Sequence, residues 1–499
     1  MSTAAPSTTP LFSTTDNSAY ALSTEVIAGL TTTGASGKTL QIQDPATEDV
    51  IASIVDCDAE DAIRAVDRAD AVGRDWARTS PRHRADVLRA WYDTLVANTD
   101  KLAALITREM GKPLAEARAE VAYGSDFVRW YSEEVTRPGG NNREVPVGGA
   151  QLLTRRAPVG LSVLITPWNF PLAMATRKIA PALAAGCSAV VKPAALTPLT
   201  TLFACELAVE AGVPDGLVNV VTTTSASSFS EAVLRDPRAR KVSFTGSTPV
   251  GRTLLNLASH NVLRASMELG GNAPLLVFDD ADLERAVAGA FSAKMRNGGQ
   301  SCIAANRILV QDGIYDAFVE ELTAAMRSVV VGNGFAPSVG LGPLIDDRAV
   351  NSMSELVADA AARGATVATG GSAITGPGYF FEPTVLTDVA PTSAIATTEI
   401  FGPIAAIQRF STEDEAIARA NDTEFGLAGY VFTENIDRAL NVADRLETGL
   451  VGINQGVPSS AAAPFGGVKQ SGMGREGSGE GLDEYQEIRF YNIARRPTA

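Results

Sequence analysis

The alternation that begins at Leu161 constrains this chain more than any other feature. Leu161-Ser162-Val163-Leu164-Ile165-Thr166 reads as a strand, residues 171–185 as a helix, 188–192 as a strand and 197–211 as a helix. A strand at 218–221, a helix around 228–234, a strand at 241–244 and a helix opening at Pro249 continue the pattern. Strands separated by helices of this length predict βαβ units, hence a parallel sheet with helices on both faces. Such sheets receive ligands beyond the carboxyl ends of their strands. After Ala273-Pro274 a second α/β series begins, with a strand at 275–278, a helix at 280–295, a strand at Arg307 and helices at 314–329 and 350–362. With 499 residues the chain exceeds the ~250–300 at which one core stops growing, so two α/β domains meeting near residue 270 are expected.

Upstream of the alternation the pattern is helical. A helix capped by Asp58 runs to about Val72, Ser80-Pro81 supplies N-cap and first turn of another, and helices follow from about Asp100 and Pro113. The opening is rich in Ser, Thr, Ala and Pro, so residues 1–24 are expected to be a flexible tail. Residues 151–154 and 487–491 read as strands that pair into a protruding two-stranded arm, a device that buries itself against another subunit. The resulting division assigns 25–143 and 159–268 to a Rossmann-like cofactor domain, 269–482 to a catalytic domain, and 144–158 with 483–499 to an oligomerisation arm.

Composition narrows the chemistry. A net charge of −15 argues against nucleic acid or an anionic membrane as partner, and no apolar run approaches the ~20 residues of a membrane span. Cys57, Cys187, Cys205 and Cys302 lack disulfide-framework or zinc spacing, and His83 and His260 are the only histidines, so no metal is expected. The absence of a basic N-terminal segment speaks against a targeting signal, and a reducing cytoplasm is expected. Catalysis must rest on Cys, Glu, Lys or Asn, or on a cofactor.

Several stretches could carry it. Thr166-Pro167-Trp168-Asn169-Phe170-Pro171 closes the first parallel strand, Lys192-Pro193-Ala194 the second, and Phe244-Thr245-Gly246-Ser247 runs into a helix N-terminus fit for an anion. Glu268-Leu269-Gly270-Gly271 marks the domain boundary, and Gly299-Gln300-Ser301-Cys302 places a cysteine in a glycine-bearing turn. Taken singly each has an ordinary explanation: an Asx cap, a solvated lysine, an exposed glutamate, a small buried thiol. Gly472-Met473-Gly474-Arg475-Glu476-Gly477 matches a dinucleotide fingerprint but has no feeding strand, and Gly34-Ala35-Ser36-Gly37-Lys38-Thr39 is two residues short of a phosphate loop.

Together with Glu399-Ile400-Phe401-Gly402-Pro403 and Pro464-Phe465-Gly466-Gly467, these blocks, in this order, resemble the aldehyde dehydrogenase superfamily from about residue 40 to the C-terminus. The resemblance implies Cys302 as nucleophile, Asn169 with the Cys302 main-chain N–H as oxyanion donors, Glu268 as general base, and Lys178 as a cation that lowers the thiol pKa. It implies a nicotinamide dinucleotide held by Ile165, Thr166, Pro167, Trp168, Lys192, Ala194, Ala195, Phe244, Gly246, Ser247, Leu269, Glu399 and Phe401. Many NAD-preferring members carry Glu where this chain has Ala195, so NADP is preferred and NAD use is left open.

Arg177, Arg296 and Ser459 resemble the carboxylate anchor of the family's succinate-semialdehyde branch, with Phe170 and Phe465 lining the tunnel. That resemblance implies a small carboxylated aldehyde as partner, and assembly as a homodimer or homotetramer. Glutarate semialdehyde, a broad range of aliphatic aldehydes, a cysteine-dependent esterase and a non-catalytic relative remain as alternatives.

Overall fold

The strands that begin at Leu161 form one sheet. The computed structural model describes residues 17–30, 34–137 and 139–495. Val218–Val220, Ala189–Lys192, Leu161–Ile165, Ala239–Thr245 and Arg264–Glu268 lie side by side in that order, all parallel. Leu161–Ile165 is central and buried at every residue, which is why it carries no polar/apolar alternation. A sixth strand, Gly472–Met473, comes from the other half of the chain and pairs antiparallel with Met267 and Glu268.

The second sheet has seven strands. Thr384–Thr387, Ile404–Phe410, Ala305–Gln311, Ala273–Val277, Ala428–Phe432 and Leu450–Ile453 run parallel in that order, with Thr366–Thr369 antiparallel at one edge. The two sheets are joined where Arg264–Glu268 ends and Ala273–Val277 begins, so Leu269 to Asn272 cross between them.

Local chemistry sets the helices. Asp58 accepts from the Asp61 N–H and Asp61 accepts from the Asp58 N–H, a reciprocal capping box that starts Ala59–Trp76. Ser80 caps Pro81–Ala97 through the His83 N–H. Helix Ala173–Ala185 is buried at every position, packed between the first sheet and helix Leu114–Glu134. Two of its residues, Arg177 and Lys178, therefore need buried counter-charges.

Three expectations change. Asn17–Gly29 is a helix that packs on Thr99–Met110, with Ala19 and Val26 buried, so the expected tail does not extend to residue 24; residues 1–16 lie outside the described residues. The arm has three strands rather than two, because Asn142–Glu144 adds to Ala150–Pro158, which pairs along its length with Gln486–Ala494. The opening region also contains a β-ribbon, Thr39–Gln43 with Val50–Val55. No helix among the described residues is long and apolar enough to cross a membrane.

Candidate active site

Helix Leu283–Met295 stops in a single tight turn, Arg296–Gly299, in which Asn297, Gly298 and Gly299 all take left-handed φ values of 57°, 61° and 75°. A side chain at Gly299 would place its Cβ 2.1 Å from the Gly402 carbonyl oxygen, so only glycine fits. Asn297 is held in its conformation by its N–H on Glu116 at 2.6 Å and its side-chain amide on the carbonyls of Gln300 and Asn169, both at 3.0 Å. The turn delivers Cys302 to the mouth of strand Ala305–Gln311. Gly271 passes so close that a Cβ there would lie 2.5 Å from the Cys302 carbonyl oxygen.

Cys302 lines a cleft of about 240 Å3 between the two sheets, shared with Pro167, Trp168, Asn169, Phe170, Arg177, Gly246, Ser247, Leu269, Arg296, Glu399, Phe401, Ser459 and Phe465. Thirteen of the residues expected at the site, besides Cys302 itself, thus wall one space. Asn169 directs its side-chain NH2 toward the nucleophile turn and donates one hydrogen bond to the Gln300 carbonyl at 3.0 Å. Glu268 ends strand Arg264–Glu268 just behind the wall formed by Leu269 and Gly270, with both carboxylate oxygens buried and unpartnered.

Burial and charge set the protonation states. The Cys302 thiol is pushed up to about 12 by burial and by the nearby carboxylates of Glu399 and Glu268, with Arg177 and Arg296 acting in the opposite direction. Burial, reinforced by Glu476, raises the Glu268 carboxyl well above the usual range. A raised carboxyl is a stronger base once ionised. Burial also raises Glu399 to about 7, although it accepts from the Gly271 N–H at 3.2 Å.

Lys178 is fully buried, beside Arg177 on the same helix. Its ammonium is ion-paired with Glu476 and donates to Ser243 at 3.1 Å. The cations with the largest effect on the Cys302 thiol are Arg177 and Arg296, which oppose its upward shift.

Arg177 and Arg296 approach the cleft differently. Arg177 is fully buried, its Nε 2.7 Å from Glu476 Oε2, its guanidinium 4.2 Å from the Phe465 ring and its Nη2 without a hydrogen-bond partner. Arg296 rests between the rings of Tyr123 and Phe170 at 5.4 and 5.0 Å. The Ser459 hydroxyl is hydrogen-bonded to that of Tyr123. Two guanidinium groups and two hydroxyls thus face one apolar-walled space, a donor set suited to a carboxylate.

At the carboxyl ends of the first sheet's strands the donors suit a dinucleotide. Ser247 is the N-cap of helix Thr248–Ser259 but makes no capping hydrogen bond, which leaves the first-turn N–H groups open to an anion. The hydroxyls of Thr166 and Thr245 are buried and unpartnered, and the Lys192 ammonium, its pKa lowered by burial, reaches only the Pro193 carbonyl at 3.3 Å. Trp168 and Phe401 meet edge to face at 5.4 Å. Ile165, Ala194 and Ala195 lie near these groups outside the cleft wall, and the Phe244 ring sits in the core beneath Gly246.

Glu476 and Tyr123 were not anticipated as site residues, nor were Lys112, Glu116, Glu120 and Asn297. In sequence they are ordinary charges and polar groups on helices and turns, up to several hundred positions from what they touch. The one available signal was that Arg177 and Lys178, on an apolar helix, demand a counter-charge.

Residues 32–491 match the profile of the Aldehyde dehydrogenase family. A succinate-semialdehyde dehydrogenase of Paenarthrobacter nicotinovorans is 52% identical over 445 residues, 89% of this chain and 99% of that relative. The NADP(+) succinate-semialdehyde dehydrogenase of Escherichia coli (strain K12) is 45% identical over 458 residues, 92% of this chain and 95% of that one. Among solved structures, that of succinate-semialdehyde dehydrogenase from Burkholderia pseudomallei superposes with a TM-score of 0.92 at 44% identity, over 94% of this chain and 99% of that chain. With these matches spanning nearly the whole chain, and with a cysteine, an amide and a buried carboxylate gathered where the two sheets meet, the chain belongs to the aldehyde dehydrogenase family.

Proposed function

We propose that this protein oxidises succinate semialdehyde to succinate, with NADP as preferred oxidant. The observation that carries the substrate is the pairing of Arg177 and Arg296 with Ser459 in the cleft that also holds Cys302. An ω-carboxylate drawn from water needs charge-assisted partners, and these residues provide them. The relatives that bear the succinate-semialdehyde name support the same reading.

Each protein group has a defined task. The Cys302 thiolate attacks the aldehyde carbon, and the oxyanion so formed accepts hydrogen bonds from the Asn169 side-chain NH2 and the Cys302 N–H. A nicotinamide dinucleotide, when bound, would supply the hydride acceptor for the oxidation of the thiohemiacetal to a thioester on Cys302. Glu268 then takes a proton from water, the hydroxide adds to the thioester carbonyl, and the C–S bond breaks to release the acid and the thiolate. Lys192, Ser247 and Glu399 would bind and orient the dinucleotide, with Trp168 and Phe401 packed beside it. Ala195 leaves no carboxylate to repel a 2′-phosphate, which favours NADP.

The arm supports a homo-oligomer. Ile488 and Phe490, on one face of strand Gln486–Ala494, are 62% and 69% exposed, an apolar pair that a second copy of the chain would cover.

A substrate panel run with NADP and NAD tests the reading by reduced-nicotinamide absorbance. Succinate semialdehyde with NADP should give the highest kcat/KM, and Cys302→Ala should abolish it. Equal rates with uncharged aldehydes of the same length would overturn the substrate, and no absorbance change with any aldehyde would overturn the oxidation. Glutarate semialdehyde is the close competitor, since one methylene is worth only about 1–3 kcal/mol.

A further inference from the structure

The Asn169 side chain can meet an oxyanion only if its own main chain is held still, and the structure shows what holds it. The Asn169 carbonyl accepts two hydrogen bonds, from Lys112 Nζ at 2.9 Å and from Asn297 Nδ2 at 3.0 Å. Lys112 is 2% exposed, lies 4.0 Å from the Phe170 ring and is paired with Glu120 at 2.5 Å. Glu120 in turn accepts from the N–H groups of Leu172 and Ala173 at 3.0 and 3.2 Å, where helix Ala173–Ala185 begins. One buried ion pair therefore grips both ends of the segment from Asn169 to Ala173.

The grip is itself anchored in the other half of the molecule. The Leu114 N–H donates to the Gly334 carbonyl at 2.9 Å. Gly334 and Gly342 press so closely that a Cβ would lie 2.6 Å from the Lys112 carbonyl oxygen and 2.0 Å from that of Gly111. Asn297, the second donor, belongs to the nucleophile turn and is tied by its N–H to Glu116, one helical turn from Glu120. The oxyanion amide and the nucleophile are thus referenced to the same stretch, residues 111–120.

A buried ion pair is a poor source of net stability, because the desolvation of two charges offsets their attraction. Its value here is geometric. An Asn169 peptide free to rotate would carry the side-chain NH2 away from the site of charge development.

We propose that Lys112 and Asn297 are positioning residues that clamp the Asn169 main chain and so hold the oxyanion donor in place. This rests on the role given to Asn169 in the proposed function.

A double-mutant cycle tests it, with Lys112→Met and Asn297→Gly each made in the wild-type and Asn169→Ala backgrounds. Glycine retains the left-handed backbone at position 297 while removing the amide. Loss of an oxyanion donor costs about 10²–10³ in kcat, so a misplaced donor should cost about tenfold or more in kcat with KM nearly unchanged. In the Asn169→Ala background neither substitution should lower kcat further by more than about twofold, because the group they position is gone. A merely structural role would give the same factor in both backgrounds, or a loss confined to KM, and either result overturns the clamp.

Thermal melting and NADP binding identify any variant that has not folded. If Lys112→Met does not fold, Asn297→Gly decides by the same cycle.

The cycle is read on succinate semialdehyde with NADP and on hydrolysis of 4-nitrophenyl acetate, which requires Cys302 and the oxyanion donor but no cofactor. Wild-type protein that cleaves the ester yet oxidises no aldehyde would refute the proposed oxidation, and the ester data would still judge the clamp. Asn169→Ala without effect on the ester would overturn the oxyanion role and the clamp together.

Discussion

Arg177 Nε lies 2.7 Å from Glu476 Oε2, and both groups are sealed from solvent at the centre of the molecule. Burial opposes the charge on each, and their attraction, with Lys178 on the other carboxylate oxygen, keeps both ionised. Arg177 therefore has two duties: it completes a buried ion cluster and it lines the cleft, with its Nη2 buried and without a hydrogen-bond partner. Removing it would disturb both.

Arg296 is the cleaner probe of substrate recognition, because it stacks on Tyr123 and Phe170 and the Arg177–Glu476 pair does not depend on it. Arg296→Met should lower kcat/KM for succinate semialdehyde by about 10- to 150-fold, the value of a charge-assisted hydrogen bond of about 1.5–3 kcal/mol. Uncharged aliphatic aldehydes should lose much less, only what the weaker support of the Cys302 thiolate removes. Equal loss for both substrate types would show that Arg296 serves the fold or the thiol rather than the carboxylate.

Glu476 should govern the pH dependence of thioester hydrolysis. In the native protein burial raises the Glu268 carboxyl, Glu476 raises it further, and Arg177 and Lys178 lower it. Glu476→Gln deletes a raising charge and frees two lowering ones, so the Glu268 pKa falls. The alkaline-rising limb of acyl-enzyme hydrolysis, measured in single turnovers, should then move to lower pH. Opening the buried ion cluster should also cost about 3–5 kcal/mol of stability, seen as a lower Tm. A limb that stays in place or moves to higher pH would contradict this electrostatic assignment.

Cofactor choice should respond to one position. Ala195 lies three residues beyond Lys192, partly buried against the cluster that holds Leu199 and Leu202. Ala195→Glu should reduce kcat/KM for NADP relative to NAD by about tenfold or more, since a carboxylate a few ångströms from a phosphate repels it by a kcal/mol or more even in high dielectric. An unchanged ratio would mean that the 2′-phosphate is read elsewhere.

The arm can be disabled without touching the cleft. Ile488→Asp combined with Phe490→Asp places charges in the exposed apolar pair of Gln486–Ala494. Wild-type protein should elute as a homo-oligomer and the double variant at a smaller mass, by light scattering. A wild-type monomer would remove the proposed role of the arm.

Much of the scaffold is written locally. The strand at Leu161, the capping Asp58 and the Ser80-Pro81 start are legible because caps and periodicity act within a few residues. Arg264–Glu268 was not legible as a strand. Its five residues alternate weakly, and it becomes one because Ala239–Thr245 and Gly472–Met473 lie on either side. The helix at Asn17 was equally hidden, since its order comes from Ala19 and Val26 being buried against the rest of the protein rather than from a strong cap.

The sequence by itself determined the parallel-sheet architecture through its periodicity, and marked Cys302, Asn169, Glu268 and the two arginines as candidates through the motifs that carry the family resemblance and stay together in the chain. Only the tertiary structure decided how these groups are charged and held. Glu476 pairs with both Lys178 and Arg177; Arg177 and Arg296 oppose the upward shift of the thiol; and Lys112 and Asn297 grip the Asn169 carbonyl. All but the Arg296–Cys302 relationship join residues at least 57 positions apart, and burial and electrostatics depend on distance through space, which no local pattern records.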